Sequence, residues 1–316
     1  MPTEAEDTHV TALSPDDAFA VLGNETRIGI LQELGTADEP MTFSALHDAV
    51  GMVDSGNFNY HLEKLQGHFV RKTDDGYRLR QAGHRVVEAI FSGTVTEAPV
   101  LETTSVDVPC IYCGAGTEVS YREERLLWRC PECPGSFAGL DATSEAFGTL
   151  PPGTIDLAYL PSAGVQGRTP REMLEASDTW SAAERVALAN GVCPRCSGTV
   201  EDSLTVCEDH DSGDGVCEAC HTRFGVSVRS RCTNCTHSKG GTLAVHLQAD
   251  RAFRSVFESR GIDVISTPLE EMSALVVDEQ EVLGTDPFRA RITFVVDGDE
   301  VALVVDDDLS VAEVIE

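Results

Sequence analysis

Apolar positions recur with helical spacing from Ser14 to Gly93. Ser14 precedes Pro15 and stands three residues before Asp17, a helix-start signature, and Phe19, Val21 and Leu22 give the helix an apolar side. Asn24 caps a second predicted helix, with Ile28, Leu31 and Leu34 in line and Gly35 as its stop. Thr42 caps a third, containing Leu46, Ala49 and Val50, before Gly51. The stretch Asp54 to Leu65, capped by Asp54 or Ser55, puts Phe58, Leu62 and Leu65 on one face. Its other face carries Asn57, Asn59, Tyr60 and Lys64. Val70 and Tyr77/Leu79 flank Asp74-Asp75-Gly76 and predict a β-hairpin. Gln81 to Gly93 predicts a closing helix. Its Val86, Val87, Ile90 and Phe91 face is wider than one small domain needs, which points to pairing with a second copy.

Further along, the periods are shorter. A Thr/Glu/Pro linker ends at Val106, and Leu126 to Arg129 suits the second strand of a hairpin that starts near Thr117. Phe137 to Gly167 is Gly/Pro-rich and reads as irregular, with apolar pieces such as Ile155 to Leu160. Thr169 and Ser181 each cap a predicted helix, the second running to Ala189. Thr199–Val206 and Arg223–Arg231 read as two short hairpins, the latter with alternating Phe224, Val226 and Val228. Thr242–Leu247 reads as a strand, or the end of the preceding ribbon. Ala249–Arg260 predicts a helix with Phe253, Val256 and Phe257 on one side. Pro268–Ala274 suits a helical turn and Leu275–Val277 a strand; Arg289–Val296 and Glu300–Val305 flank Asp297-Gly298, a hairpin signal.

Charge changes the picture. Asp and Glu number 53 against 23 Lys and Arg, a formal charge of -30. Such a balance is poor for non-specific nucleic-acid binding, which needs cations to displace counterions. It suits either basic partners or a salt-rich cytoplasm. The second is preferred, because acid is spread along the chain and Lys occurs only at 64, 72 and 239. One region escapes the acidity. Between 54 and 85, Lys64, Arg71, Lys72, Arg78, Arg80 and Arg85 outnumber Asp54, Glu63, Asp74 and Asp75, whereas residues 1–53 hold Arg27 against ten acids. Residues 1–14 lack the charged and apolar regions of a signal peptide, and no apolar run approaches the ~20 residues of a membrane span. A soluble, cytoplasmic chain without membrane contact is expected.

In a reducing compartment the eleven cysteines argue for metal rather than disulfides. Cys110-x-x-Cys113 and Cys130-x-x-Cys133 bracket a predicted hairpin, the pattern of a zinc ribbon, in which four thiolates surround Zn²⁺. Cys193/Cys196, Cys207/His210, Cys217/Cys220 and Cys232/Cys235 follow, enough for two more ions. Pairing neighbours along the chain is the more natural arrangement, and interleaved pairing is the alternative. His210 joins the ligands through its x-x spacing from Cys207; His221 is expected at the surface. About three structural zinc ions per chain follow. The run Asp306-Asp307-Asp308 reads as a solvated turn in preference to a cation site. No catalytic grouping emerges: an enzyme would need a Glu or His beside an open zinc site.

The stretch Ala20-Val-Leu-Gly-Asn-Glu-Thr-Arg-Ile-Gly-Ile-Leu-Gln-Glu-Leu34 resembles the start of ArsR-like winged-helix regulators. Asn59 to Leu65 resembles the end of their recognition helix, with His61 and Leu62 in the matching places. The resemblance covers about a quarter of the chain. It implies a homodimeric, sequence-specific module on double-stranded DNA, with Ser55, Asn57, Asn59, Tyr60, His61, Lys64, Arg71, Lys72 and Arg78 as candidate contacts. The cysteine motif that some members carry before the recognition helix is missing, since residues 41–53 contain no Cys. The order of winged helix, then ribbons in an acidic chain, looks like uncharacterised haloarchaeal members of that group. A winged helix followed by a zinc ribbon also resembles the large subunit of archaeal transcription factor E, which binds polymerase and promoter but has one ribbon.

The expected fold class is thus α+β multidomain. A disordered tail (1–13) precedes a winged helix-turn-helix (14–97), a zinc ribbon with an irregular and helical linker (98–191), tandem ribbon modules (192–240) and an acidic α+β region (241–316). Together these hold three small ribbon-like hairpin modules. Contact with the transcription machinery is a further expectation.

Overall fold

The computed structural model describes residues 13–139, 148–213 and 215–315, so all but the last residue of the expected tail lies outside the described residues. The chain forms two compact units that divide after Thr96.

The first unit holds α1 (Pro15–Leu22), α2 (Glu25–Thr36), α3 (Phe43–Val50), α4 (Ser55–Leu65), β1 (Val70–Thr73), β2 (Gly76–Leu79) and α5 (Gln81–Phe91). Side-chain caps set the first four starts: Ser14, Asn24, Thr42 and Asp54 accept backbone N–H groups of the first turns. At α4 the carboxylate of Asp54, not Ser55, is the cap, taking the N–H groups of Gly56 at 2.8 Å and Asn57 at 3.1 Å. Such a cap contributes about 1 kcal/mol. Phe58, Leu62 and Leu65 are fully buried against Ile30, Leu31, Leu46 and Val70. Losing Phe58 to alanine costs about 3–5 kcal/mol. Gly35 does not stop α2, which runs to Thr36. A Cβ there would lie 2.6 Å from Val87 Cγ1, so the glycine lets α2 and α5 approach. Met41 and Tyr77 exchange backbone hydrogen bonds, and Gly76, at φ +142, passes so close to the Met41 carbonyl that no side chain fits.

The second unit starts with an antiparallel meander: β3 (Leu101–Pro109), β4 (Gly116–Arg122), β5 (Arg125–Arg129) and β6 (Thr154–Tyr159). The last strand was expected to be irregular. Its alternating Ile155 and Leu157 pair with β5 over Arg125↔Tyr159 to Arg129↔Thr154. Next comes α6 (Pro170–Ala189), one helix of 20 residues where two capped helices were expected. Thr169 and Glu172 form its capping box. Ser181 caps nothing: it is buried in mid-helix and its Oγ accepts a hydrogen bond from Lys239 Nζ at 3.2 Å.

A three-stranded sheet follows, with β7 (Val200–Val206), β8 (Val226–Cys232) and β9 (Ser238–Thr242) in that order. The two stretches expected to be separate hairpins are the paired strands of one, in register from Val200↔Cys232 to Val206↔Val226. α7 (Leu243–Leu247) is a helix rather than a strand, because Thr242 caps it and Leu243, Ala244 and Leu247 bury. α8 (Arg251–Glu258) packs Phe253 and Phe257 on Phe294 at centroid distances of 5.6 and 5.2 Å. The chain ends in a second meander, β10 (Glu279–Thr285), β11 (Phe288–Val296), β12 (Asp299–Val305) and β13 (Val311–Ile315). The strand expected at Leu275–Val277 is not formed; a 3-10 turn at Met272–Leu275 stands there and pairing begins at Glu279. Val226 and Val228 of β8 share one core with α7, α8, β11 and β12, so the divisions at 191/192 and 240/241 fall inside this unit. Among the described residues no helix is long and apolar enough to cross a membrane.

Candidate metal centres

Three tetrads gather all eleven cysteines and one histidine: Cys110/Cys113/Cys130/Cys133, Cys193/Cys196/Cys232/Cys235 and Cys207/His210/Cys217/Cys220. All the cysteines are free thiols. Two sheets serve the three tetrads, in place of three hairpin modules. The first tetrad sits at one end of the β3–β6 sheet; the other two sit at opposite ends of the β7–β8 hairpin.

That hairpin overturns the neighbour pairing expected from the sequence. β7 is 7 residues long and carries the chain roughly 20 Å at strand rise, so Cys193/Cys196 before it and Cys207/His210 after it cannot share an ion. The antiparallel return of β8 brings Cys232/Cys235 back to the first pair and starts from Cys217/Cys220 beside the second. The pairing is nested.

Three of the knuckles are the same turn. The N–H groups of Gly114, Ser197 and His221 donate to the carbonyls of Cys110, Cys193 and Cys217 at 2.9, 2.8 and 2.8 Å. All three residues have positive φ, 74, 59 and 58°. The N–H groups of Cys110, Cys193 and Cys217 in turn donate to Ala115, Gly198 and Thr222. Only the first knuckle uses glycine for this, so the backbone geometry was hidden in the other two sequences. His221 lies outside the tetrad, exposed, as its place in this turn requires.

The sulfur spacing fits a tetrahedral ion. Cys110–Cys133 and Cys113–Cys130 are 3.6 Å apart, Cys193–Cys235 3.7 Å and Cys196–Cys232 3.5 Å. Four thiolates at the Zn–S bond length form a tetrahedron with edges of roughly 3.8 Å. In the third tetrad His210 Nδ1 is 3.4 Å from Cys220 Sγ, and Nε2 is 3.2 Å from the carbonyl of Arg223. A proton on Nε2 donated to that carbonyl leaves the Nδ1 lone pair for a metal. Two tetrads offer four thiolates each, and the third offers three thiolates and an imidazole. These donor sets suit a soft metal ion such as zinc.

Backbone N–H groups point at the sulfurs: Tyr112 to Cys110, Glu132 to Cys130, Asn234 and Cys235 to Cys232, His237 to Cys235 and Asp211 to Cys217. In the metal-free chain the Asn234 side-chain amide, foremost, holds the Cys196 thiol down to about 6, and the Asp211 N–H does the same for Cys217. Burial pushes Cys133 up to about 12 and Cys207 up to about 11. Each tetrad thus mixes sites of different acidity, and a bound cation is what allows four donors to be deprotonated together.

Sequence reasoning missed the supporting residues. Gly225 leaves room for the His210 ring, since a Cβ there would stand 2.8 Å from its Cγ. Arg223 lays its guanidinium 4.3 Å from the centre of the Tyr112 ring, in the first knuckle, and donates Nε–H to Gly135. Arg195, inside the second knuckle, pairs with the buried Glu184 of α6 at 3.1 Å. A Cys-x-x-Cys pattern carries no signal for partners so distant in sequence.

The remaining candidates lie in the first unit. Ser55, Asn57, Tyr60 and Lys64 are exposed on α4, with Lys64 Nζ 5.5 Å over the Tyr60 ring. Asn59 is half-buried and donates to Glu63 at 2.8 Å, and His61 is half-buried. Arg71, Lys72 and Arg78 are exposed on the β1–β2 hairpin. Asp306–Asp308 forms a turn in which Asp308 Oδ1 accepts the Ser310 N–H at 3.0 Å.

Residues 15–90 match a family described as Domain of unknown function (DUF7347), and residues 107–311, which contain every tetrad ligand, match Domain of unknown function (DUF7351). No curated protein and no solved structure matches the chain. The second match spans well over half of the sequence, and the chain belongs to the DUF7351 family.

Proposed function

We propose that the chain is a transcription regulator of the ArsR-like type, whose first unit is a winged helix-turn-helix reading double-stranded DNA as a homodimer. The three tetrads then hold structural zinc. The observation that carries the DNA reading is the crowding of like charge on the hairpin after α4. Arg71 and Arg78 are directly opposite each other in the register, and Lys72 follows beside them. Like charges across a strand pair are destabilising by roughly 0.2–1 kcal/mol, yet this chain has acids to spare. A phosphate backbone relieves that repulsion. α4 presents Asn57 and Lys64 beside the hairpin in sequence, side chains suited to base edges and phosphates.

The acidic composition supports a salt-adapted, archaeal cytoplasm as the setting. Four protein ligands close each tetrad and leave no coordination position for an activated water, which supports a structural and non-enzymatic role. Nuclease footprinting on genomic fragments tests the proposal. Protection of a discrete sequence, lost in Asn57→Ala and Lys64→Ala, is expected. Protection that requires added RNA polymerase would instead favour a basal factor like the large subunit of transcription factor E.

A further inference from the structure

A cleft of about 1260 Å³ opens within the second unit. The edge strands β6 and β9 of two different sheets line it, and α6 contributes Ser181 and Glu184. Its chemistry runs against the rest of the chain. Five cations (Arg125, Arg185, Arg195, Arg229, Lys239) line it against three acids (Asp156, Asp178, Glu184), in a chain with 53 acids and 23 bases.

Most of these cations are already engaged. Glu184, 3% exposed, takes both Arg195 and Lys239 at 3.1 Å. Arg185 lies 3.8 Å from Asp178, and Arg229 donates to Ser238 Oγ. When the second tetrad is loaded it carries net negative charge, which Arg195 in its own knuckle offsets. Arg125 is different. Among the described residues its guanidinium has neither a carboxylate within 4.0 Å nor a hydrogen-bond acceptor, and lies 5.8 Å from the Tyr159 ring centre. Arg125 and Tyr159 pair across β5 and β6, and two residues along the same sheet face Leu127 pairs with Leu157, about 7 Å away at strand rise. Toward that end the lining turns apolar, with Leu150, Leu157 and Phe137 packed together.

We infer that this cleft binds a small organic anion with an apolar body, its carboxylate at Arg125 and its body along Leu157 and Phe137. A charge-assisted bond to an unpaired guanidinium fixes the head, and the apolar wall takes the tail. Phenylbutyrate has this form and about the right length for the separation of the two ends.

The test is isothermal titration of the metal-loaded full chain, without DNA, so that its outcome is separate from any reading of the first unit. Three probes are compared: phenylbutyrate, phenylbutanol (the same body without charge) and acetate (the same head without body). Phenylbutyrate binds once per chain, and each of the others binds at least about tenfold more weakly. Arg125→Gln, which breaks no ion pair, lowers phenylbutyrate affinity to the level of the alcohol while metal content and melting temperature stay as in the parent. Leu157→Glu, with a carboxylate placed where the body lies, weakens binding as well. Equal affinity for acid and alcohol overturns the inference. So does unchanged affinity in the folded, metal-loaded Arg125→Gln chain, or no binding of any probe.

Discussion

His210 and Arg223 are joined by a hydrogen bond from the imidazole Nε2 to the backbone carbonyl, at 3.2 Å. The side chain of the same Arg223 stacks on Tyr112, between two ligands of the first tetrad, and bonds Gly135, two residues past a third. One residue therefore braces two of the tetrads. His210→Ala is expected to lose one zinc ion per chain and to speed release of another to a chelator. Arg223→Ala is expected to keep all three but to share the faster release from the first tetrad. Native mass spectrometry with a chelator time course reads both, and a three-ion His210→Ala chain would remove the histidine from the ligand set.

Nested pairing has a countable consequence. Cys207 and Cys217 belong to one tetrad, whereas neighbour pairing would put them in two. The double variant Cys207→Ser, Cys217→Ser should therefore lose a single zinc ion by metal analysis. Loss of two would exclude the nested pairing and leave the neighbour or the interleaved arrangement.

These two points also show how far the sequence reached. Ligand identities were legible because x-x spacing marks a knuckle wherever it occurs. Their partners were not, since loops of ten and eleven residues suit either pairing until β7 and β8 are known to be one hairpin. Turns behaved similarly. Asp297-Gly298 announced its hairpin because both residues accept positive φ, 54 and 89° here. Glu123-Glu124 makes an equivalent turn between β4 and β5 with φ of 49 and 57°, using a residue type that signals nothing of the kind. Ser181 carries the spacing of a helix cap, but a buried contact to Lys239 holds the serine inside α6.

Acid should strip the metal. Binding displaces protons from thiols, and burial of the Cys133 sulfur, pushed up to about 12, makes it one that holds its proton at neutral pH until a cation arrives. The loaded chain carries fewer protons than the empty one, so falling pH favours the empty form. Zinc release followed with a chromophoric chelator should rise as pH falls, with loss of the second unit's melting transition. Retention of all metal independent of pH would contradict thiolate ligation.

Arg71 and Arg78 should act as phosphate contacts. Replacing both with Gln is expected to weaken operator and non-operator DNA alike and to lower the salt slope of binding by about two. It should slightly stabilise the free first unit by removing the cross-strand repulsion. A variant with an unchanged slope would assign these arginines another role.

Phe91, at the end of α5, is 49% exposed. If a second copy covers this face, Phe91→Asp should convert a dimer to a monomer in sedimentation equilibrium and weaken palindromic DNA binding. A parent chain that is monomeric at the same concentrations would sink the homodimer.

The nested centres also imply an order of assembly. Ten positions separate His210 from Cys220, and thirty-six separate Cys196 from Cys232. Closing the inner loop first costs about 1 kcal/mol less in chain entropy than closing the outer one. Once an ion pins the inner end, β7 and β8 are tethered in register and the outer cysteines arrive as the hairpin zips. With metal bound, the inner site would close first and nucleate the sheet, and a chain starved of metal should stall before the outer site can close.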